Sequence, residues 1–460
     1  MNILLINISL RFESEVKLFP VGLGYIATSI NKAGFNLDVL DIDAHRFTHA
    51  EILTHIAKKK YDVVCMGCIV TGYKIVKELS WEIKRIHPNV KIIVGNSVAT
   101  SVTDTILKKT NVDIAVMGEG DITIVKLLRA INDNASLEDV MGICFLSDGE
   151  VAKTPPRPVI KQISDLPFID FSLFDIEIYI ENSCENINEP LPIPRKAIRA
   201  LPVNTARGCI GNCTFCYHNF RGVPYRYRTP DSIIGEVKSL IDEYGINYIH
   251  FWDELTFFSK QYTIEFMEKT IKSGVKFFWR GNCRADLFDQ PEDLEIIKKM
   301  KQAGCIGISY SLESADASIL KDMNKHITTE QFSFQTSLFH EAKIPVWTSL
   351  VFGYPQETPD TIKKTLDCCI QNKIYPSAGY LLPQPGSKMY EYAFENGHIR
   401  DEEEYLKLMG DRQDLRINMT AMTDEKFQQC VFEGLEKCNR ELNIGLESRG
   451  LIKTKHYRGK

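Results

Sequence analysis

Twice along its length the sequence alternates between apolar runs of strand length and amphipathic stretches of helical length, and this alternation restricts its fold more than any other feature. In the first stretch, strands are expected at residues 3–8, 37–41, 63–68, 91–94 and 113–116, with helices near 23–32, 50–59, 74–86, 98–108 and 121–131. Gly34 stands where the first helix needs a left-handed terminating residue. A chain patterned in this way buries a parallel sheet under helices on both faces. The ligand of such a doubly wound sheet lies beyond the carboxyl ends of the strands, where strand order reverses. This predicts a Rossmann-like α/β domain over residues 1–138. Residues 139–200 break the pattern with proline and scattered hydrophobes ("TPPRPVIKQISDLPFIDFSLFD") and read as an ordered connector lying on a neighbour.

The second alternation covers residues 201–395. Its strands are expected at 202–206, 248–252, 276–279, 307–312, 346–352 and 377–382, each followed by a helical stretch. Six such units predict a partial (β/α)6 barrel with its chemistry at the carboxyl ends of the strands. Residues 396–460 are helical and charged, and their basic end, "KTKHYRGK", is expected to fray. A net charge of -5 over 460 residues argues against bulk electrostatic binding of nucleic acid. No run approaches the roughly 18 apolar residues of a membrane span, and "MNILLINISLRF" lacks a basic leader and a cleavage site. A cytoplasmic location is expected, in which the 13 cysteines are free thiols or metal ligands.

Three of those cysteines, Cys209, Cys213 and Cys216, share the glycine-bearing loop "RGCIGNCTFCYHNF" directly after the first strand of the second region. Thiolates so placed can converge on one metal centre. Structural zinc asks for four ligands, usually in two separated pairs, and no second pair follows; His218 is a possible fourth. A cubane iron–sulfur cluster held by three cysteines keeps one iron free for a substrate or cofactor.

The spacing, with Phe215 as the aromatic residue before the third cysteine, resembles the signature of the radical S-adenosylmethionine (SAM) enzymes, and successive strand ends extend the resemblance. "FWDELTF" implies that Asp253 and Glu254 bind the amino group of SAM, and "CRADLF" puts Arg284 near its carboxylate. "SLESAD" gives Glu313 a ribose or polar contact. "VFGYPQET" places Val351 and Gly353 along the adenine, and "LLPQPGSKMY" resembles the sixth strand end. Taken singly, carboxylates at strand ends are also ordinary helix caps. The cofactors implied are a [4Fe-4S] cluster and SAM. One electron entering the cluster breaks the sulfonium bond, leaving methionine and a 5′-deoxyadenosyl radical, while the protein orients the reactants and keeps water out.

No G-x-G-x-x-G follows the first strand, which argues against a dinucleotide. "PVGLGYIA", "GCIVTGY", "VGNSVAT" and "VMGEGD" at the strand ends resemble instead the cobalamin-binding domain that precedes many radical SAM enzymes. The contacts so implied are Gly22, Leu23, Thr71, Gly95, Asn96, Ser97, Gly118, Glu119 and Gly120. Asn96 departs from relatives that carry a second glycine. No histidine follows the first strand to ligate cobalt from below, and Asp43-Ala44-His45, after the second strand, reads as a surface loop.

The resemblance implies a cobalamin-dependent radical SAM methyltransferase acting on an unactivated carbon, or on phosphorus, of a small molecule, with electrons from an external flavodoxin or ferredoxin. Tyr310 and Tyr380 are candidate catalytic residues near strand ends, with core packing as their alternative. A ring-forming enzyme on the same cofactors, a methylthiotransferase using Cys65 and Cys68, and a binding regulator without turnover are the other readings. Arg221, Arg226 and Arg228, interleaved with Tyr225 and Tyr227, could form a nucleic-acid surface or fold over the cofactor.

Overall fold

The structure, a computed structural model, describes residues 1–187 and 191–452; the basic end at 453–460 lies outside the described residues. Strands β1 (Asn2–Asn7), β2 (Asn36–Asp41), β3 (Val63–Gly67), β4 (Lys91–Gly95), β5 (Ile114–Val116), β6 (Ile143–Ser147) and β7 (Glu150–Lys153) form one sheet in the order β2-β1-β3-β4-β5-β6-β7. The first five are parallel. The apolar runs of β1, β3, β4 and β5 are continuous because both faces are covered, whereas edge strand β2 carries Asp38 and is only partly buried. Ile3 and Leu5 face the core under helices Val21–Lys32 and Gly120–Asn132, whereas Leu4 and Ile6 face the layer that holds Val76, Leu79 and Ile106. Strand order reverses between β1 and β3, as expected of a doubly wound sheet. Gly34 has φ 83° directly after the first helix.

Two local expectations need correction. Residues 143–153, read as connector, form an antiparallel hairpin on the sheet edge, turning through Asp148 (φ 52°) and Gly149 (φ 83°). Two successive positive φ angles are the mirror-image turn that an Asp-Gly pair favours. The single helix expected at 98–108 is two, Ser97–Ser101 and Thr103–Lys109, broken at Val102 (φ -135°, ψ 43°). There the Thr103 hydroxyl donates to the Ala99 carbonyl at 2.7 Å, a side-chain bond that competes with the helical ladder.

The second domain places β8 (Ala200–Val203) ahead of a short hairpin, β9 (Ala206–Arg207) and β10 (Arg226–Tyr227). β11 (Tyr248–Phe251), β12 (Phe278–Asn282), β13 (Cys305–Ser309) and β14 (Val346–Trp347) extend the parallel sheet in the order β8-β11-β12-β13-β14. β15 (Ser349–Phe352) pairs in parallel with β16 (Ser377–Tyr380), and a bridge from Glu313 to Leu350 carries the wall across to them. This is the expected six-unit open barrel. Its last edge is covered by the C-terminal region: the Tyr380 N–H donates to the Arg412 carbonyl at 2.7 Å, and Arg412 Nη2 donates to the Leu350 carbonyl at 3.1 Å.

The connector joins both domains into one apolar core. Phe19 of the first domain lies 4.8, 4.9 and 5.4 Å, between ring centroids, from Phe171, Phe174 and Tyr179. The C-terminal region spans both domains as well. Glu403, on helix Glu402–Leu408, takes a hydrogen bond from Tyr73 at 3.2 Å and pairs with Lys77, both on the first domain's helix Tyr73–Ile86. Helix Asp424–Glu441 packs on the barrel's outer helix Pro359–Gln371, with Gly434 against Leu366. No helix among the described residues is long and apolar enough to cross a membrane.

Gly304 opens β13 at φ 97°, and a Cβ built there would lie 2.1 Å from the Phe277 carbonyl oxygen. Gly304→Ala should therefore cost at least about 2 kcal/mol, read as a lowered apparent unfolding temperature.

Candidate active site

The cysteine loop, residues 208–225, leaves the barrel through β9 and returns through β10, so its two ends are paired strands. Gly208 takes φ 92° at its start. The Gly211 N–H donates to Cys209 Sγ at 3.3 Å, and a Cβ on Gly211 would lie 3.5 Å from Cys209 Sγ, 3.8 Å from Cys213 Sγ and 3.6 Å from an Arg284 Nη1. Two thiols and a guanidinium thus meet around Gly211, each within van der Waals reach of a Cβ placed there. Burial raises the Cys213 thiol, and it raises Cys216 to about 12, where Cys213, Cys209 and Glu313 add to the effect. Among the described residues no three His, Cys, Asp or Glu side chains converge as ligands of a single ion. The loop is braced from behind. Thr214 bonds the Asp322 carbonyl at 2.8 Å and the Tyr354 hydroxyl at 2.7 Å, and Arg221 donates to the Cys213 carbonyl at 3.0 Å and to that of Cys216. Phe215 packs edge-on to Tyr354 at 6.5 Å.

Glu313 carries the clearest sign of a ligand. It is buried and adopts φ 64°, a left-handed backbone that a non-glycine residue holds at a cost. Its Oε1 accepts from Lys325 Nζ at 3.1 Å, while Oε2 is buried with no hydrogen-bond partner in the protein. An unpartnered buried carboxylate oxygen costs free energy unless something outside the chain satisfies it. Lys325, which the sequence reading missed for want of any motif around it, is pulled down by burial but held above its ordinary range by Glu313 and Cys213. Arg284 is clamped by Asp286 at 2.9 and 3.0 Å and by the Lys325 carbonyl at 3.0 Å, which leaves Nη1 toward the cysteine loop. Glu254 is exposed to open space, yet it lies deep enough in the strand-end loops that burial raises its carboxyl, with the Gly208 N–H opposing.

Other expected contacts stand elsewhere. Asp253 accepts from the Thr205 N–H (2.7 Å), the Ala206 N–H (3.1 Å), the Thr205 hydroxyl (2.5 Å) and the Thr256 hydroxyl (3.3 Å). A carboxylate has about four lone-pair sites, so Asp253 ties the strand ends together and has none left for an amino group. Val351 is 1% exposed, sealed among core side chains with no face for an adenine. Gly353 (φ 117°) packs on Phe427, and its N–H donates to Glu357 at 3.3 Å. Tyr310 is core: it lies between Phe332 and Phe339, and its hydroxyl bonds Thr336 at 2.9 Å. Tyr380 stands edge-on to Phe427, and burial raises its phenol to about 12.

In the first domain, Gly22, Gly95 and Gly118 border open space, and Thr71 sits half-buried in the turn Val70–Gly72. Asn96 takes φ 68° and ψ -161°, a region held almost exclusively by glycine, so the expected glycine geometry is kept by an asparagine. Its Oδ1 accepts from the Ser97 N–H at 2.6 Å and from Asn219 Nδ2 of the cysteine loop at 2.8 Å. The Ser97 hydroxyl accepts from the Val70 N–H at 2.8 Å and so links the β3 and β4 loops. Leu23 is buried against Gly67, and Gly120 lies against Ile26, so both are packing positions. The Glu119 carboxylate, expected at the cofactor, is instead held by Arg207 and Arg226 of the second domain. Asp43, Ala44 and His45 form a helical turn and not a loop, with His45 paired to Asp175 at 2.8 Å. Cys65 and Cys68 fall in opposite core layers, which removes a shared cluster. Arg226 and Arg228 are buried in pairs with Glu119 and Glu236, so neither is offered to nucleic acid.

The B12 binding domain family matches residues 9–128, and the Radical SAM superfamily matches residues 203–369. Residues 203–369 thus form a radical SAM domain behind a B12 binding domain, the arrangement of a cobalamin-dependent radical SAM enzyme. An uncharacterized methyltransferase of Pyrococcus horikoshii is 25% identical over 380 residues, covering 82% of this chain and 79% of that protein. The anaerobic magnesium-protoporphyrin IX monomethyl ester cyclase of Cereibacter sphaeroides is 26% identical over 353 residues, covering 75% of this chain and 55% of that protein. The fold is shared with the radical SAM methyltransferase TsrM of Kitasatospora setae, solved with cobalamin and a [4Fe-4S] cluster. Its TM-score is 0.67 at 18% identity, covering 87% of this chain and 76% of that one.

Glu357, behind Gly353, is pushed up to about 7 by burial. A buried carboxyl whose pKa is raised on folding favours the native state when protonated, and that stability is lost as pH rises from about 4.5 through about 7. Glu357→Gln should therefore narrow the gap in apparent unfolding temperature between about pH 5.5 and about pH 8.

Proposed function

We propose that this radical SAM protein methylates an unactivated carbon, or a phosphorus, of a small molecule, and that it draws electrons from an external flavodoxin or ferredoxin. The observation that carries the reading is the hydrogen bond from Asn219 of the cysteine loop to Asn96 at the end of β4. It turns the cysteine loop toward the strand ends where a doubly wound sheet holds its ligand, so both cofactors can serve one substrate between them.

Cys209, Cys213 and Cys216 would hold a [4Fe-4S] cluster. All three thiols lie free on one short loop, and a cube takes such thiolates on separate irons. Glu313 Oε2, Arg284 Nη1 and Glu254 would receive the charged end of SAM, a carboxylate meeting the cation and the carboxylates meeting the ammonium. Gly22, Thr71, Gly95 and Gly118 leave room for a broad ligand at the strand ends of the first domain. When bound, the cluster and SAM supply radical chemistry and cobalamin supplies methyl transfer. The chain's own part is orientation and exclusion of water: Lys325 holds the Glu313 carboxylate, Asp286 holds Arg284, and Thr214 and Arg221 fix the loop.

The cyclase relative supports a second reading, a ring-forming reaction on the same scaffold. Product mass separates the two. Anaerobic protein reduced with dithionite, given hydroxocobalamin, a small-molecule extract and SAM bearing a trideuterated methyl group, should release 5′-deoxyadenosine and a product in which one hydrogen is replaced by a trideuteromethyl group. A product that gains no label would favour cyclisation. Cys213→Ala should drop bound iron below about one per chain while cobalamin binding stays at the wild-type level, measured by metal analysis and by the corrin absorption spectrum.

A further inference from the structure

Both ends of the cysteine loop are fastened to the first domain through one buried group of charges. Arg207, two residues ahead of Cys209, donates through Nη1 to Glu119 at 2.7 Å and to Asp121 at 2.9 Å, and through Nη2 to Asp121 at 2.9 Å. Arg226, paired with Arg207 across the β9–β10 hairpin, donates to both oxygens of Glu119 at 2.9 Å. The Ile160 N–H of the connector donates to Glu119 at 2.7 Å, and the Ile160 carbonyl accepts from Arg226 at 2.8 Å. The four side chains are 11% (Arg207), 8% (Arg226), 6% (Glu119) and 8% (Asp121) exposed, and Tyr25 of the first domain lies over the Arg207 guanidinium at 5.4 Å. Glu119 and Asp121 flank Gly120 at the end of β5, in the loop that begins at the open Gly118.

Two arginines against two carboxylates leave no net charge in the group, but four ions out of water form a poor source of stability compared with apolar packing. What they define well is geometry. Guanidinium forks on carboxylates fix direction as well as distance, and both arginines share Glu119. The group sits at the neck of the loop that carries all three cysteines, and it grips the same edge of the first domain that the Asn219–Asn96 bond touches from the loop's far side. Any rotation of the two domains about the connector must break it.

The geometry points to Glu119, Asp121, Arg207 and Arg226 as positioning residues that set the separation and orientation of the cysteine loop relative to the strand-end loops of the first domain, touching neither cofactor. The inference rests on the proposed function, because it assigns the cluster and cobalamin to those two sets of loops. Loss of the charge on Glu119 leaves Arg226 without a carboxylate and Arg207 with Asp121 alone, and should loosen the neck while the thiols and the strand-end loops remain.

The test is magnetic. In full-length protein loaded with cob(II)alamin, reducing the cluster should raise the microwave power that half-saturates the cobalt signal, since relaxation by a neighbouring spin falls steeply with distance. In Glu119→Gln that increase should shrink at least about twofold, with iron and cobalamin content unchanged; Asp121→Asn, which keeps Glu119 on both arginines, should show a smaller loss in the same direction. Glu119→Asp keeps the charge and should recover part of the effect. An unchanged increase in Glu119→Gln holding both cofactors overturns the inference. If Glu119→Gln does not hold both, an unchanged increase in Asp121→Asn overturns it. Wild-type protein that shows no increase, or takes up no cobalamin, contradicts the functional reading instead.

Discussion

A buried carboxylate with one oxygen left unpartnered is the constraint on which the site depends. Glu313 is held out of water with one oxygen on Lys325 and the other on nothing, on a backbone that only a surrounding structure can enforce. Around it stand the cysteine loop, Lys325 and Arg284, and the strand ends behind them serve to keep that arrangement still. The barrel wall runs through this residue, because its N–H and carbonyl bridge to Ser349 and Val351 and so join β15 to the rest of the sheet. Strain at Glu313 is thus locked in by the fold, and a group that satisfies its free oxygen would relieve the desolvation cost without changing the backbone.

The second organising feature is the meeting of two modules. The connector supplies apolar adhesion through Phe171, Phe174 and Tyr179 on Phe19, and the C-terminal region clasps the first domain through Glu403 and covers the open barrel edge through Arg412. Apolar contacts tolerate small slides. The charged neck around Glu119 does not, which is why direction is assigned to it and adhesion to the core.

Much of this was legible in the sequence where burial imposes a period. The inner parallel strands of the first domain announce themselves because they are apolar on both faces, the barrel strands by their alternation with helical stretches, and the cysteine spacing singles out its loop. Local chemistry that competes with a period was not legible: the helix break at Val102 follows from a threonine hydroxyl, and the edge hairpin at 143–153 hid behind short strands although its Asp-Gly turn was in plain view. Site residues divide along the same line. Glu313 was marked by its place at a strand end, but the same reasoning chose Asp253, Tyr310 and Glu119, whose partners come from residues remote in sequence. A strand-end carboxylate and an interdomain ion pair look alike until the opposing arginine is seen. Asn96 is the reverse case, since the departure from glycine left the glycine backbone intact.

The most direct measurement is on anaerobically reconstituted protein: iron and sulfide per chain, and the electron paramagnetic resonance of the reduced centre before and after SAM is added. About four irons and four sulfides per chain, with a signal that changes shape when SAM binds, is the predicted result. A chain that carries zinc, or a reduced cluster whose signal is indifferent to SAM, would contradict a centre left open at one corner beside Glu313 and Arg284.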